Sequence, residues 1–183
     1  MKVGFSYVTA PARRRVGLSV LIGIITGIIG AIAKWGWEVP FPPRNPDIFF
    51  PIGELSRVTP PKVFLDMLGL PSDWTYTFSG VIQPLSVFIV HVGFSLVFAL
   101  TYCVIAEYWP RIKMWQGTVF GFFCYVGAHV IVMPLIGLVP PLSELPFDEH
   151  LSELFGHFWW LWIIEVARRD LRNRMTGEPD PEK

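Results

Sequence analysis

Apolar residues run through this chain in four long blocks, and the polar residues gather between them. A helix needs about 20 residues to cross a hydrocarbon layer of roughly 30 Å, where it must satisfy its own backbone N–H and C=O groups. The first block, residues 16–35, holds no charge from Val16 to Ala33. The second (81–106) and third (115–138) are as long, and the fourth (149–168) is less pure because Glu153, His157 and Glu165 lie inside it. The pattern predicts an all-α, polytopic membrane protein with four transmembrane helices in a single membrane domain over 1–183. An outer loop at 39–77 and a cytoplasmic tail at 169–183 complete it. Arg13, Arg14 and Arg15 ahead of the first block, with Ala31-Ile32-Ala33 near its end, also fit a secretory signal. An apolar run of 18 residues exceeds a typical signal core, so a retained helix is expected.

The connections differ in character. The outer loop is rich in Pro and aromatics (Pro40, Pro42, Pro43, Pro46, Phe49, Phe50, Pro51), which favours extended backbone. One short interfacial helix is expected inside it: Thr59 as N-cap, Pro60 at the first helical position, Val63, Phe64, Met67 and Leu68 on one face, Gly69 and Pro71 ending it. The second outer loop, Pro140 to Pro146, leads to Asp148 as an expected N-cap. The tail is basic, then acidic, and is expected to fray. No internal repeat is visible.

Composition narrows the class. Of 183 residues, 52% are apolar and 16% charged, and mean hydropathy is +0.46. A soluble domain carries about a quarter charged residues, so this chain lacks the charge to wet a globule. Zero net charge excludes a phosphate-backbone binder, and two Cys in apolar runs make neither a disulfide framework nor a zinc finger. Laid along the spans, the zero splits. Eleven of the fifteen Lys and Arg fall in the N-terminal segment, the connection around Arg111 and Lys113, and the tail, while nine of the fifteen acids fall in the other loops. The positive-inside rule then puts both termini in the cytoplasm, with about +5 inside and −5 outside.

The candidate chemistry lies in the few polar residues of the spans. Gly23, Gly27 and Gly30, with Ala31, form a small-residue stripe for helix–helix contact, either in a homo-oligomer or within the monomer. Lys34 and Glu38 stand one turn apart beside Trp35 and Trp37, as a depth-setting ion pair or at the outer mouth of a path. His91 and His129 lie equally deep in the second and third spans. They fit neutral interhelical hydrogen bonds, a titratable relay, or ligation of haem or metal, although no Cys or carboxylate at that depth supports a defined metal site. Glu149, Glu153 and His157 recur every four residues as one polar stripe, the wall of an acidic vestibule or partners for Lys34. Glu165 with Arg168 and Arg169, and Glu107 with Arg111, read as ion pairs. No Gly-x-Ser-x-Gly, His-Glu-x-x-His or nucleotide motif occurs, so no enzyme and no cofactor are expected.

Several motifs together resemble the YagU family of bacterial inner-membrane proteins, formerly a domain of unknown function. They are Lys34-Trp35-Gly36-Trp37-Glu38-Val39-Pro40 with Pro42-Pro43-Arg44, Ala106-Glu107 with Trp115-Gln116-Gly117, and Pro134-Leu135, Gly137-Leu138 and Pro140-Pro141-Leu142. Ser152-Glu153 to Gly156-His157 and the run Arg168 to Arg174 with Glu178-Pro179-Asp180-Pro181-Glu182 continue the likeness. The resemblance implies a multipass inner-membrane protein similar to one linked with survival in acid, and it brings no catalytic residues. The sequence-level expectation is a channel-like or pH-responsive membrane protein, a homo-oligomer in the lipid bilayer, handling protons or small ions and no nucleic acid. A non-conducting partner-binding protein and a haem- or quinone-binding redox protein are the alternatives.

Overall fold

The computed structural model describes residues 6–42 and 58–181. The loop prolines and aromatics from Pro43 to Pro51, and the last acidic residue Glu182, lie outside the described residues. After a 3-10 turn at Pro11–Arg13 come α1 (Val16–Glu38), α2 (Pro60–Met67), a hairpin of β1 (Thr75–Phe78) and β2 (Val81–Pro84), and α3 (Leu85–Tyr108). A 3-10 segment at Pro110–Gly117 leads into α4 (Thr118–Tyr125), a π-helical stretch Val126–Val132 and the short α5 (Met133–Leu135). A 3-10 turn at Leu142–Glu144 precedes α6 (Phe147–Thr176).

Among the described residues, three helices are long and apolar enough to cross a membrane: Val16–Glu38, Leu85–Tyr108 and the composite Pro110–Leu135. α6 is longer, at 30 residues, but its charges set it apart. Two expectations need correction. Residues 81–84 belong to the hairpin, not to the second span: Ser79 and Gly80 both take positive φ (49° and 79°) and close a two-residue turn with Phe78 opposite Val81. The third span is not one α-helix, since Trp115 and Gln116 (φ 49° and 56°) break it before Gly117, and the π-helical stretch interrupts it again. Proline and glycine place most other boundaries. Pro84 and Pro146 precede α3 and α6, and Gly177 at φ 66° ends α6 with its N–H on the Asn173 carbonyl at 2.9 Å.

α1 packs on α3 along one side and on α6 along another, and α4 packs on α6. The helices therefore form a folded row, α3–α1–α6–α4, whose ends meet at Tyr102 and Phe120 (5.4 Å between ring centres) and stand apart beyond that contact. The buried residues explain the row. Ser19, Ile22, Gly23, Thr26, Gly27, Gly30, Ala31 and Lys34 recur at helical spacing along α1. A Cβ on Gly23 would lie 2.9 Å from the Leu100 Cα, one on Gly27 3.0 Å from the Leu96 Cα, and one on Gly30 2.8 Å from Ile164. The small-residue stripe thus serves contacts inside the chain, to α3 and α6. The core centres on Ile22, Ala99, Tyr102, Cys103, Trp160, Leu161 and Ile164.

At one end of the row the termini meet. The Thr9 N–H donates to the Tyr108 carbonyl (2.9 Å), and the Arg15 N–H to Glu107 (2.9 Å). Glu107 pairs with Arg172 (2.6 Å), not with Arg111 as spacing suggested, because α6 brings a guanidinium to it from across the bundle. Glu165 does pair with Arg168, at 2.6 Å, and accepts the Tyr102 hydroxyl at 2.9 Å. The tail does not fray up to Pro181: Asp180 meets Lys113 at 2.5 Å and Arg168 at 2.6 Å, and Lys113 also donates to the Pro181 carbonyl at 2.6 Å. Three buried cations, Lys113, Arg168 and (at 3.5 Å from Asp180) Arg172, hold it, which local composition could not reveal. At the other end lie α2, the hairpin and the turn before α6. In α2 Thr59 stands at the N-cap with no side-chain bond, and the buried residue is Leu65, while Phe64, Met67 and Leu68 are exposed. Asp148 is not the N-cap of α6; Pro146 is, and Asp148 sits in the first turn.

Candidate functional site

Between α3 and the third span, beyond the Tyr102–Phe120 contact, lies a cleft of about 1380 Å³. Its walls are apolar, with Val90, Phe94 and Phe98 on α3 and Phe120, Phe123 and Val132 on the opposite side. Its floor is formed where α1 meets α6, and Lys34, Glu38, Glu153 and Trp160 line it there, with His91 and His129 on the walls.

The floor holds a buried charge cluster. Lys34 Nζ donates to Glu38 at 2.6 Å, one turn along α1, and reaches across to Glu153 on α6 at 3.1 Å. The same Glu153 Oε2 lies 3.4 Å from His129 Nε2 and 3.6 Å from His157 Nδ1. One carboxylate is therefore shared by an ammonium and two imidazoles. His157 Nδ1 also lies 2.7 Å from the Glu153 carbonyl, as an N–H donor would, and its Nε2 is buried without a partner among the described residues. Burial of such a carboxylate is tolerable only with counter-charge and hydrogen bonds, both of which Lys34 supplies.

Small residues let these helices come close enough. A Cβ on Gly156 would lie 3.0 Å from the Trp37 ring and 3.4 Å from Lys34 Nζ, so glycine there seats the Trp37 ring against α6 beside the lysine. A Cβ on Gly121 would lie 2.6 Å from the His157 carbonyl, which seats α4 against α6 beside the cluster. The rim is stitched by Trp37 Nε1 donating to the Ser152 carbonyl (3.1 Å) and by the Ser152 hydroxyl donating to the Phe41 carbonyl. Beneath the floor, Trp160 Nε1 donates to Ser95 Oγ (2.9 Å), which donates to the Gly27 carbonyl (2.7 Å).

The structure thus brings together Lys34, Glu38, His129, Glu153 and His157. Glu149 stands half-exposed at the start of the stripe. The pairing of His91 with His129 suggested by equal depth gives way to another: His91 lies edge-on to Trp35 (5.5 Å between ring centres) and His129 edge-on to His157 (4.9 Å). The π-helical stretch carries His129, and this rearranged backbone is a feature common at functional sites. Gly121 and Gly156 were not legible as site residues, since they act by leaving room, and Tyr125, whose hydroxyl meets His150 Nδ1 at 3.1 Å beside the cluster, was not among the expected site residues either. Ligand atoms of His129, Glu153 and His157 lie within 4.8 Å of one another and could hold a metal ion. Lys34 already supplies a cation to the same carboxylate oxygen, which makes an ion-pair cluster the simpler chemistry.

Across 95% of its length, and 94% of the relative's, the chain is 47% identical to the inner membrane protein YagU of Escherichia coli (strain K12). No solved structure matches it. The family described as a protein of unknown function, DUF1440, matches residues 28–166, a stretch that holds every member of the floor cluster, and the chain belongs to that family.

Proposed function

We propose that this inner-membrane protein is pH-responsive and supports acid tolerance, with the floor cluster as its sensing element. It crosses the membrane four times with both termini cytoplasmic. Three apolar helices, the length of α6 and the name of its relative support the spans, and the gathering of both termini with Arg15, Arg168 and Arg172 at one end supports the orientation. The cleft then opens toward the outer compartment.

One observation carries the reading: a single buried carboxylate, Glu153, is shared by Lys34, His129 and His157 within 3.6 Å. Imidazole is the side chain whose charge changes across mild acid. At neutral pH the cluster holds one ammonium and the two carboxylates of Glu38 and Glu153. Acidification adds positive charge first at His129, the imidazole with some exposure (15% against 0% for His157), beside the buried His157 and with Lys34 facing it from α1, Tyr125 from α4 and His91 from the cleft wall. Like charges about 4 Å apart repel by about 4 kcal/mol at an effective dielectric of about 20, a strain that falls on the seat of α4 against α6. Phe98, Phe120 and Trp160 line the deep end, so in this state the cleft is a vestibule, and conduction would require that end to open.

Liposomes carrying the protein and an internal pH-sensitive dye provide the test. The expected result is an acid-triggered change in proton or ion flux, or in Trp160 emission, that is lost in His129→Ala and His157→Ala and weakened in His91→Ala. Responses identical to wild type in all three variants would overturn the proposal.

A further inference from the structure

The cleft has a second property that the charge cluster does not explain. Its walls are apolar along most of their length, and its volume of about 1380 Å³ exceeds the roughly 300–1000 Å³ of small-molecule pockets. Its width is written into the sequence. Gly93 on α3 and Gly127 on the π-helical stretch both line it, and a Cβ at either would meet nothing within 4 Å. Larger residues would fit both positions and fill the space.

The polar end of the cleft also has a definite charge character. Lys34 and Lys62 line it, but Lys34 is balanced by Glu38 and Glu153 and Lys62 by Asp66 (3.3 Å) and Asp73 (3.0 Å). Among the described residues, two ammonium groups (Lys34, Lys62) and two carboxylates (Glu38, Glu153) line the cleft, so its polar end matches neither a purely anionic nor a purely cationic head. A head that carries both a phosphate and its own ammonium is complementary, with the phosphate toward the lysines and the ammonium toward Glu38, the cluster's more exposed carboxylate at 26%.

We propose that the cleft between α3 and α4 binds one phospholipid with a phosphoethanolamine headgroup, its acyl chains between the two helices and its head at the Lys34–Glu38–Glu153 end. This rests on the membrane-spanning reading above but not on the pH response. A lipid seated there would cover the apolar walls of both helices and close the side of the vestibule.

Full-length protein extracted in mild detergent is examined by native mass spectrometry, then titrated with vesicles of brominated-chain phosphoethanolamine or phosphoglycerol lipid while tryptophan emission is followed. The expected result is one retained phosphoethanolamine lipid per chain and saturable quenching by that lipid. Gly93→Leu should fold with unchanged thermal stability and weaken both signals by at least about tenfold, since it places a side chain in the occupied space. Glu38→Gln should abolish the preference over phosphoglycerol lipid. No retained lipid, equal retention of the anionic lipid, a second copy of the chain covering the cleft, or binding indifferent to Gly93→Leu would each overturn the site. Lipid binding that persists in His129→Ala while the acid response is gone separates this proposal from the pH reading.

Discussion

Gly23 and Gly27 set the distance between α1 and α3 by what they lack. In lipid there is no hydrophobic force between helices, so close backbone packing does the work. Gly23→Ala adds a methyl 2.9 Å from the Leu100 Cα, where neither backbone can yield cheaply. It should destabilise the folded protein by about 1–3 kcal/mol, against a helix propensity that favours Ala by about 1 kcal/mol. Gly17→Ala is the control, for nothing stands within 4 Å of its Cβ. Unfolding curves in detergent should separate the two, and equal stabilities would mean that the stripe does not set the contact. At this scale the sequence was informative about which residues are unusual in a membrane and poor about their partners. Lys34, Glu153 and His157 stood out because charge in an apolar run is costly. That Lys34 reaches Glu153, or that His129 turns to His157 and not to His91, depends on helix rotation and on a π-helical stretch that no spacing rule signals.

Among the elements, the C-terminal tail departs most from its composition. Burial pushes the Asp180 carboxyl up, but hydrogen bonds and charge from Arg168, and charge from Lys113, outweigh it and hold the group below the usual carboxylate range. A carboxyl lowered in the folded state stabilises fully above its unfolded value of about 3.9, and that contribution is lost as pH falls through the lower folded value. The docked tail should therefore persist through the mildly acidic range in which imidazoles titrate. Asp180→Asn leaves Lys113 and Arg168 underpaired and should cost about 3–5 kcal/mol at neutral pH. In denaturant titrations that deficit should stay constant down to about pH 4 and shrink only below it; a deficit that faded between pH 7 and 5 would contradict the sign. The apolar blocks marked α1, α3 and the composite third span to within a few residues, because lipid-facing surface demands uniform hydrophobicity. The hairpin at Thr75–Pro84 escaped notice since Val81 and Ile82 merge into the following apolar run, and Ser79-Gly80 is a quieter turn signal than Asn-Gly.

For the molecule as a whole, the two ends carry different instructions. One gathers Arg15, Glu107, Lys113, Arg168, Arg172 and Asp180 into a network that fixes both termini; the other exposes α2 and the hairpin around an open cleft. Cysteine labelling checks which end faces out, since both native cysteines are buried. Leu70→Cys and Met175→Cys are each at half-exposed positions. A membrane-impermeant maleimide should label the first on intact cells and the second only after lysis, and the reverse pattern would invert the topology. Oligomeric state was not legible from the sequence, because the stripe that suggested it is consumed inside the chain.

α6 carries members of both charge clusters on one buried stripe, with Glu153 and His157 near one end and Glu165, Arg168 and Arg172 near the other. Glu153 and Arg172 stand roughly 28 Å apart along it at 1.5 Å per residue. A residue added or removed between them would rotate one cluster away from its partners by about 100°, and a change of about seven, which nearly restores the phase, would still shift the clusters by about 10 Å along the axis. The number of residues between Glu153 and Arg172 is therefore locked to the geometry of the helix.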